Sequence, residues 1–185
     1  CGGCSFQHLS SKNQINAKQS WLKSAFMGQA KIEPKKWLQP LQVESWGYRR
    51  KARLGVRYVA KKEKVLVGFR ERKSSFITVM SRCEVLHPSL GDNLELLGEC
   101  IGKLSIKKHV PQIEVAIAEL DTILILRHLE PMTKGDESIL KEYGDKLAIT
   151  WYTQSGGLET IKPLNESVSL TYALPEHKIE MSFLP

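Results

Sequence analysis

The sequence lacks an apolar run long enough to span a bilayer, any segment that resembles a signal peptide, and a glycine-rich loop placed after a strand. A membrane-spanning helix needs about twenty apolar residues, so we expect none here. Its four cysteines are too few for a disulfide framework in 185 residues and favour the reducing cytoplasm. Without a glycine-rich loop, the sequence predicts no nucleotide-cofactor pocket in this chain.

The positive charge of the chain is concentrated in one segment. The formal net charge is +7, but residues 49–73 contain eleven Lys and Arg against two Glu, which is +9 and leaves −2 for the remainder. Such a concentration favours a polyanion as the partner, because Lys and Arg bind phosphates and release counterions. For Lys61, Lys62 and Lys64 the alternative is a hairpin tip whose charges prevent strand aggregation.

The first nine residues contain a pair of cysteines separated by two glycines, Cys1-Gly2-Gly3-Cys4. Glycines let a backbone fold tightly beneath a metal, so both thiols can point at one centre. The spacing alone leaves three alternatives open: a redox dithiol, half of a zinc site, or part of an iron–sulfur site. In each metal site the pair needs further ligands, and Cys83, Cys100 and His8 are the candidates.

Four motifs follow one another in an uncommon order. They are Cys1-Gly-Gly-Cys4 with Gln7-His8, Trp46-Gly-Tyr-Arg-Arg-Lys-Ala-Arg-Leu54, Val67-Gly-Phe-Arg70, and Arg82-Cys83-Glu-Val-Leu86. Together they resemble the bacterial S-adenosylmethionine-dependent ribosomal RNA uracil-5-methyltransferases, which make 5-methyluridine in large-subunit RNA and carry a [4Fe-4S] cluster. The resemblance extends from Cys1 to Phe183.

The resemblance implies that Cys1, Cys4 and Cys83 are metal ligands of the [4Fe-4S] cluster, with the fourth ligand upstream of this chain. It also implies that the chain is the central part of the enzyme, without the N-terminal barrel and without the methyltransferase domain that binds S-adenosylmethionine. No catalytic residue is assigned here, and we expect the chain alone to be inactive. For Cys83 the alternative is a buried free thiol, and for Cys100 a packing role is favoured over ligation.

The resemblance further implies that the basic strand faces large-subunit ribosomal RNA. The RNA-binding candidates are Arg49, Arg50, Lys51, Arg53 and Arg70. Trp46 and Tyr48 beside them suit stacking on unpaired bases, although core packing is favoured for Trp46. The competing interpretations are a non-enzymatic zinc- or cluster-binding RNA module and a transfer-RNA uracil methyltransferase relative. We expect a monomer without a membrane partner.

The predicted fold is α+β, an antiparallel-rich sheet covered by two helices, with an N-terminal cysteine knuckle and a crossover helix. Apolar spacing and capping residues predict a helix capped by Ser10 or Ser11 that runs to about Ala30, a second helix within 88–104 that Asp92 or Ser89 can start, and a third opened by Thr133. Strands are predicted over 53–59, 64–70, 76–80, 113–117, 122–129, 147–153, 168–172 and 179–183. We divide the chain into the knuckle at 1–13, the helix and connection at 14–48, which would pack on the methyltransferase domain, and the RNA-docking domain at 49–185.

Overall fold

The computed structural model describes all residues, 1–185, and divides them into two compact units. One unit is residues 4–45, and the other is residues 1–3 together with 46–185. None of the helices in either unit is both long and apolar enough to cross a bilayer. The finer division into residues 1–13, 14–48 and 49–185 stays a prediction.

The smaller unit is built on one helix, α1, over Ser11–Ala25. Ser10 caps it by accepting a hydrogen bond from the Asn13 N–H, as the sequence predicts. The last turn, Phe26–Ala30, widens to π geometry, and the Phe26 ring meets Trp37 edge-on at 5.8 Å between centroids. No side chain of α1 is buried, so its apolar face is open within this unit.

The larger unit is organised around a six-stranded sheet in the order β2-β1-β3-β4-β5-β6. The strands are β1 Lys51–Val59, β2 Lys64–Gly68, β3 Gln112–Ile117, β4 Thr122–Arg127, β5 Thr150–Gln154 and β6 Lys162–Pro163, and β7 Leu170–Leu174 pairs with β8 Ile179–Phe183 in a separate hairpin. All neighbours are antiparallel except β4 and β5. This arrangement confirms the predicted antiparallel-rich α+β class.

Three helices belong to the larger unit: α2 over Pro88–Gly91, α3 over Leu94–Lys103 and α4 over Lys134–Leu147. α3 contacts β2 and α4, and α4 contacts β5, so α3 and α4 are the two covering helices that the sequence predicts. α4 connects β4 to β5, which is why those two strands run parallel.

α4 begins at a buried carboxylate. Asp136 accepts hydrogen bonds from Thr133 N at 2.9 Å and from Ser105 N and Oγ at 2.6 and 2.7 Å, and Thr133 Oγ1 completes the capping box by accepting from the Asp136 N–H. Burial alone would raise the pKa of Asp136, but these hydrogen bonds outweigh it and hold the pKa below its usual range. The carboxylate therefore joins α4 to the segment that follows α3.

The sheet has apolar side chains on both faces. Leu54 on β1 pairs with Ile113 on β3, which pairs with Leu126 on β4, and all three are fully buried on the helix-covered face. On the opposite face a second cluster gathers around Ile125 and Leu170. β4 therefore contributes to both cores, which confirms that it is a central strand buried on two sides.

One predicted element is wrong. Residues 76–80 form no strand beyond one bridge between Arg70 and Ile77, because Ile77 lies over the sheet above Gly55, where the missing Cβ leaves it room. Of the two starts predicted for the helix within 88–104, the structure has the later one, near Asp92: α3 is separate from α2, because the Gly91 carbonyl accepts the Cys83 N–H at 2.8 Å instead of continuing the helix.

Candidate nucleic-acid interface and cysteine sites

One face of β1 is basic and the other is apolar. Lys51, Arg53 and Arg57 alternate along the strand and are exposed, whereas Leu54 and Val56 between them are buried. Successive side chains of a strand point to opposite faces, so the three cations lie in a row on one face, with about 6.6 Å between Lys51 and Arg53 and about 13 Å between Arg53 and Arg57 across Gly55. The row suits an extended strand of phosphates.

Only one cation of this row has an acidic partner. Arg53 Nη2 lies 3.0 Å from Glu114 Oε1 on the adjacent strand β3, and its side chain stays 69% exposed. Lys51 and Arg57 have no carboxylate oxygen within 4.0 Å. An exposed ion pair of this kind contributes at most about 1 kcal/mol, so Arg53 can exchange Glu114 for a phosphate at little cost.

The two arginines before β1 have different surroundings. The Arg49 guanidinium lies 5.6 Å from the centroid of the Phe69 ring, which holds it by a cation–π contact. Arg50 Nη1 donates a 2.6 Å hydrogen bond to the Ala118 carbonyl, so this guanidinium links the start of β1 to the end of β3. Arg70, the fifth candidate, is exposed. The structure therefore places Arg50 in a structural contact, apart from the row of Lys51 and Arg53.

The aromatic residues beside these arginines are exposed, Trp46 by 43% and Tyr48 by 55%. The expectation that Trp46 packs in the core is therefore wrong. The reason is the turn at Gly47, which has a φ of +65° and donates its N–H to the Glu84 carbonyl at 2.8 Å. Both rings are available to stack on unpaired bases.

The N-terminal cysteine segment is fixed to the residues that follow β2. Gly2 N donates to the Arg70 carbonyl at 2.8 Å, and a methyl group on Gly2 would lie 2.9 Å from that oxygen and from Arg72 N. Gly3 N donates to the Cys1 sulfur at 3.3 Å. A backbone N–H directed at sulfur stabilises a thiolate, which is the form that ligates metal. Position 2 requires glycine, because a methyl group there would be too close to the Arg70 carbonyl and Arg72 N.

Cys83 lies in a neighbouring segment. It is buried, and two residues later the Val85 carbonyl accepts the Arg49 N–H at 2.9 Å. The Phe69 ring below the Arg49 guanidinium is also the ring beside Gly3, with 3.6 Å between a methyl group placed there and Cγ of Phe69. The Cys1 segment therefore lies beside Phe69, Phe69 contacts Arg49, and Arg49 bonds to the Cys83 segment.

All four cysteines are free thiols, and Cys4 is half-buried. Thiolates are the ligands of iron–sulfur clusters, so cysteine is the right residue type for such a site. The structure does not gather three or more His, Cys, Asp or Glu side chains into one ligand group. The assignment of Cys1, Cys4 and Cys83 as ligands stays a prediction that rests on the resemblance.

Cys100 has the environment expected of a packing residue. It lies in α3, is fully buried, and burial raises the pKa of its thiol to about 12, although nearby Lys103 opposes the shift. The thiol is therefore protonated at neutral pH and is a poor ligand and nucleophile. The prediction that Cys100 packs in the core is confirmed.

Phe69 has a role that no sequence pattern specifies. The structure shows that this ring contacts the Arg49 guanidinium and lies beside Gly3. An aromatic residue between Gly68 and Arg70 in the third motif was the available signal, but only the fold shows which two segments meet at it.

Comparison with known proteins gives a consistent set of relatives, although no protein-family profile matches the chain. The chain is 63% identical over 185 residues to the 23S rRNA (uracil(1939)-C(5))-methyltransferase RlmD of Vesicomyosocius okutanii. It is 47% identical over 187 residues to the protein of that name from Nitrosococcus oceani, and 46% over 186 residues to that from Ralstonia nicotianae. All of the chain aligns, and it spans 42%, 42% and 41% of those proteins.

The fold is similar to a solved structure, the Pyrococcus abyssi tRNA (uracil-54, C5)-methyltransferase in complex with S-adenosyl-L-homocysteine. The TM-score is 0.62, and the match covers 97% of this chain and 44% of that one. At 16% sequence identity the likeness shows a shared fold and no more.

Proposed function

We propose that this chain, a homologue along its whole length of part of the 23S rRNA uracil-5-methyltransferases, is the RNA-docking part of such an enzyme. The enzyme transfers a methyl group from S-adenosylmethionine to carbon 5 of a uridine in large-subunit ribosomal RNA. The identity of 63% over all 185 residues carries this proposal. The protein acts as a monomer. It acts in the cytoplasm, because that reducing compartment suits four free thiols.

The chain's own contribution to the reaction is to hold the RNA. Lys51, Arg53 and Arg57 present three charges on the exposed face of β1, where they neutralise RNA phosphates and release the counterions condensed on the RNA. Arg49, held over Phe69, and exposed Arg70 extend this surface toward the N-terminal cysteines. Trp46 and Tyr48 offer exposed rings to bases that leave the stack.

The protein also binds a [4Fe-4S] cluster through Cys1, Cys4 and Cys83, with a fourth ligand from outside this chain. Two observations support the site: the Gly3 N–H directed at the Cys1 sulfur, and the contact of Phe69, beside Gly3, with Arg49, which bonds to the Cys83 segment. The cluster supplies a structural cross-link between segments about eighty residues apart. Methyl transfer needs no net redox step, so we assign the cluster no part in the chemistry.

The activity is tested by methyl transfer. Radiolabelled S-adenosylmethionine is incubated with unmodified large-subunit ribosomal RNA and either the whole protein that carries this segment or the 185-residue chain alone. We expect label at carbon 5 of one uridine with the whole protein and none with the chain alone. Label in transfer RNA instead of ribosomal RNA, or transfer by the chain alone, would contradict the proposal.

The cluster is tested by comparing Cys83→Ser with Cys100→Ser in the whole protein, with iron and sulfide content and absorption near 400 nm as the measurements. We expect Cys83→Ser to lose the absorption and most of the iron, because one thiolate ligand is removed. Cys100→Ser keeps both, since its thiol is buried in α3. Equal loss in the two variants, or a colourless protein that contains zinc, would overturn the ligand assignment.

A further inference from the structure

A second basic cluster lies at the other end of β1. We name it the Tyr58 cluster; it consists of Tyr58, Lys61, Lys62, Lys107 and Lys108. The ammonium groups of Lys107 and Lys108 each lie 5.6 Å from the centroid of the Tyr58 ring. Lys61 and Lys62 follow in the exposed turn that connects β1 to β2. Two cations therefore share one aromatic ring, with two more on the adjoining turn.

The backbone holds these lysines in place. Val56 N donates to the Pro111 carbonyl at 3.0 Å, which draws the residues before β3 alongside the second half of β1. Lys107 and Lys108 lie in a 3₁₀ turn, Lys107–His109, closed by a 2.7 Å hydrogen bond from His109 N to the Ile106 carbonyl. The cluster is therefore part of the folded unit and not a mobile tail.

The charges of the Tyr58 cluster are not neutralised within the protein. The chain's three ion pairs join Arg53 to Glu114, Lys64 to Glu95 and Arg82 to Glu84. No lysine of the cluster has a carboxylate oxygen within 4.0 Å. A cation–π contact contributes about 0.5–1 kcal/mol at an exposed site, but it does not neutralise the charge of the ammonium group. A bound polyanion neutralises both charges.

We propose that the Tyr58 cluster is a second phosphate-binding site for RNA, separate from the row formed by Lys51, Arg53 and Arg57. This inference rests on the proposed RNA-docking function and adds a second surface that the RNA must contact. Tyr58 directly follows Arg57 in β1, but its side chain lies on the opposite face of the strand from the row. An RNA strand that binds both sites must therefore pass around the end of β1 at Val59.

The test measures binding of a 20-nucleotide single-stranded RNA to the full chain by fluorescence anisotropy, at salt concentrations from about 50 to about 200 mM. The test variant is Lys107→Gln with Lys108→Gln. We expect affinity to fall about tenfold at low salt, and the slope of log affinity against log salt to become shallower by about 1.4, since two phosphate contacts are lost. Thermal unfolding checks that the variant is folded.

The matched control is Lys134→Gln with Lys162→Gln, which removes the same charge from exposed positions on α4 and β6. Its affinity is expected to change less than twofold. If the two double variants behave alike, the Tyr58 cluster is only a solvated surface or a site for an acidic protein, and the inference fails. RNA binding that still depends on Lys51 and Arg53 would then leave the proposed function intact.

Discussion

Reversing the charges of Lys51 and Arg53 together, as Lys51→Glu with Arg53→Glu, is expected to lower RNA affinity about a hundredfold at low salt. Both side chains are exposed on one face of β1, and neither is needed to hold the sheet. The substitutions replace two attractive contacts with two repulsive ones along the phosphate path. The measurement is the anisotropy titration, with the slope against salt shallower by about 1.4 because two contacts are lost.

The control for this variant is Lys134→Glu with Lys162→Glu, which changes the net charge by the same amount away from β1. We expect it to weaken binding only through long-range repulsion that salt screens. The stability of the Lys51 and Arg53 variant should fall by about 1–2 kcal/mol, because an exposed ion pair is lost and the carboxylate introduced at position 53 faces Glu114 on β3. Undiminished affinity with a normal salt slope would show that the row on β1 does not bind RNA.

Replacing Gly91 by Ala is expected to destabilise the larger unit by about 3 kcal/mol and to lower its melting temperature by about 10 °C. A methyl group at Gly91 would lie 2.5 Å from the Cys83 carbonyl oxygen and 3.0 Å from that of Leu86. Both contacts are with backbone, so no side chain can rotate away to relieve them. The segment that contains Cys83 must move, which also removes the 2.8 Å hydrogen bond from Cys83 N to the Gly91 carbonyl.

Gly102→Ala in α3 is the matched control. A methyl group there meets only Cγ2 of Val65, at 3.9 Å, which is ordinary van der Waals contact. Since glycine is an unfavourable helix residue, this variant should gain about 0.5–1 kcal/mol. Thermal and denaturant unfolding of both variants measure the difference. A Gly91→Ala protein as stable as the parent would mean that the Cys83 segment is more adaptable than the structure indicates.

Local patterns predicted much of the fold correctly. The alternation of Leu54 and Val56 with basic residues gave the orientation of β1, and Thr133 with Asp136 marked the start of α4. The uninterrupted apolar run of β4 showed that it is buried on both faces. In each case the signal lies within a few residues, so the chain's own periodicity or capping chemistry is enough.

Distant residues decide the structure where local patterns are wrong or silent. Residues 76–80 have strand-like composition, but Ile77 lies over Gly55 instead of joining the sheet. Arg50 is one of the five RNA-binding candidates, an assignment that stays a prediction, and only the fold brings the Ala118 carbonyl to it. The contact of Tyr58 with Lys107 and Lys108 likewise joins residues about fifty positions apart, which no local pattern indicates.

The pairing of β1 with β3 is expected to limit the rate at which the sheet assembles. The β1–β2 and β3–β4 hairpins each close over a few residues, whereas pairing Gly55 with Gln112 closes a loop of roughly sixty. The entropy of that closure grows only logarithmically, so doubling the intervening chain costs about 0.6 kcal/mol. Lengthening residues 69–110 at an exposed turn should therefore slow the docking of the two hairpins more than it weakens the finished sheet.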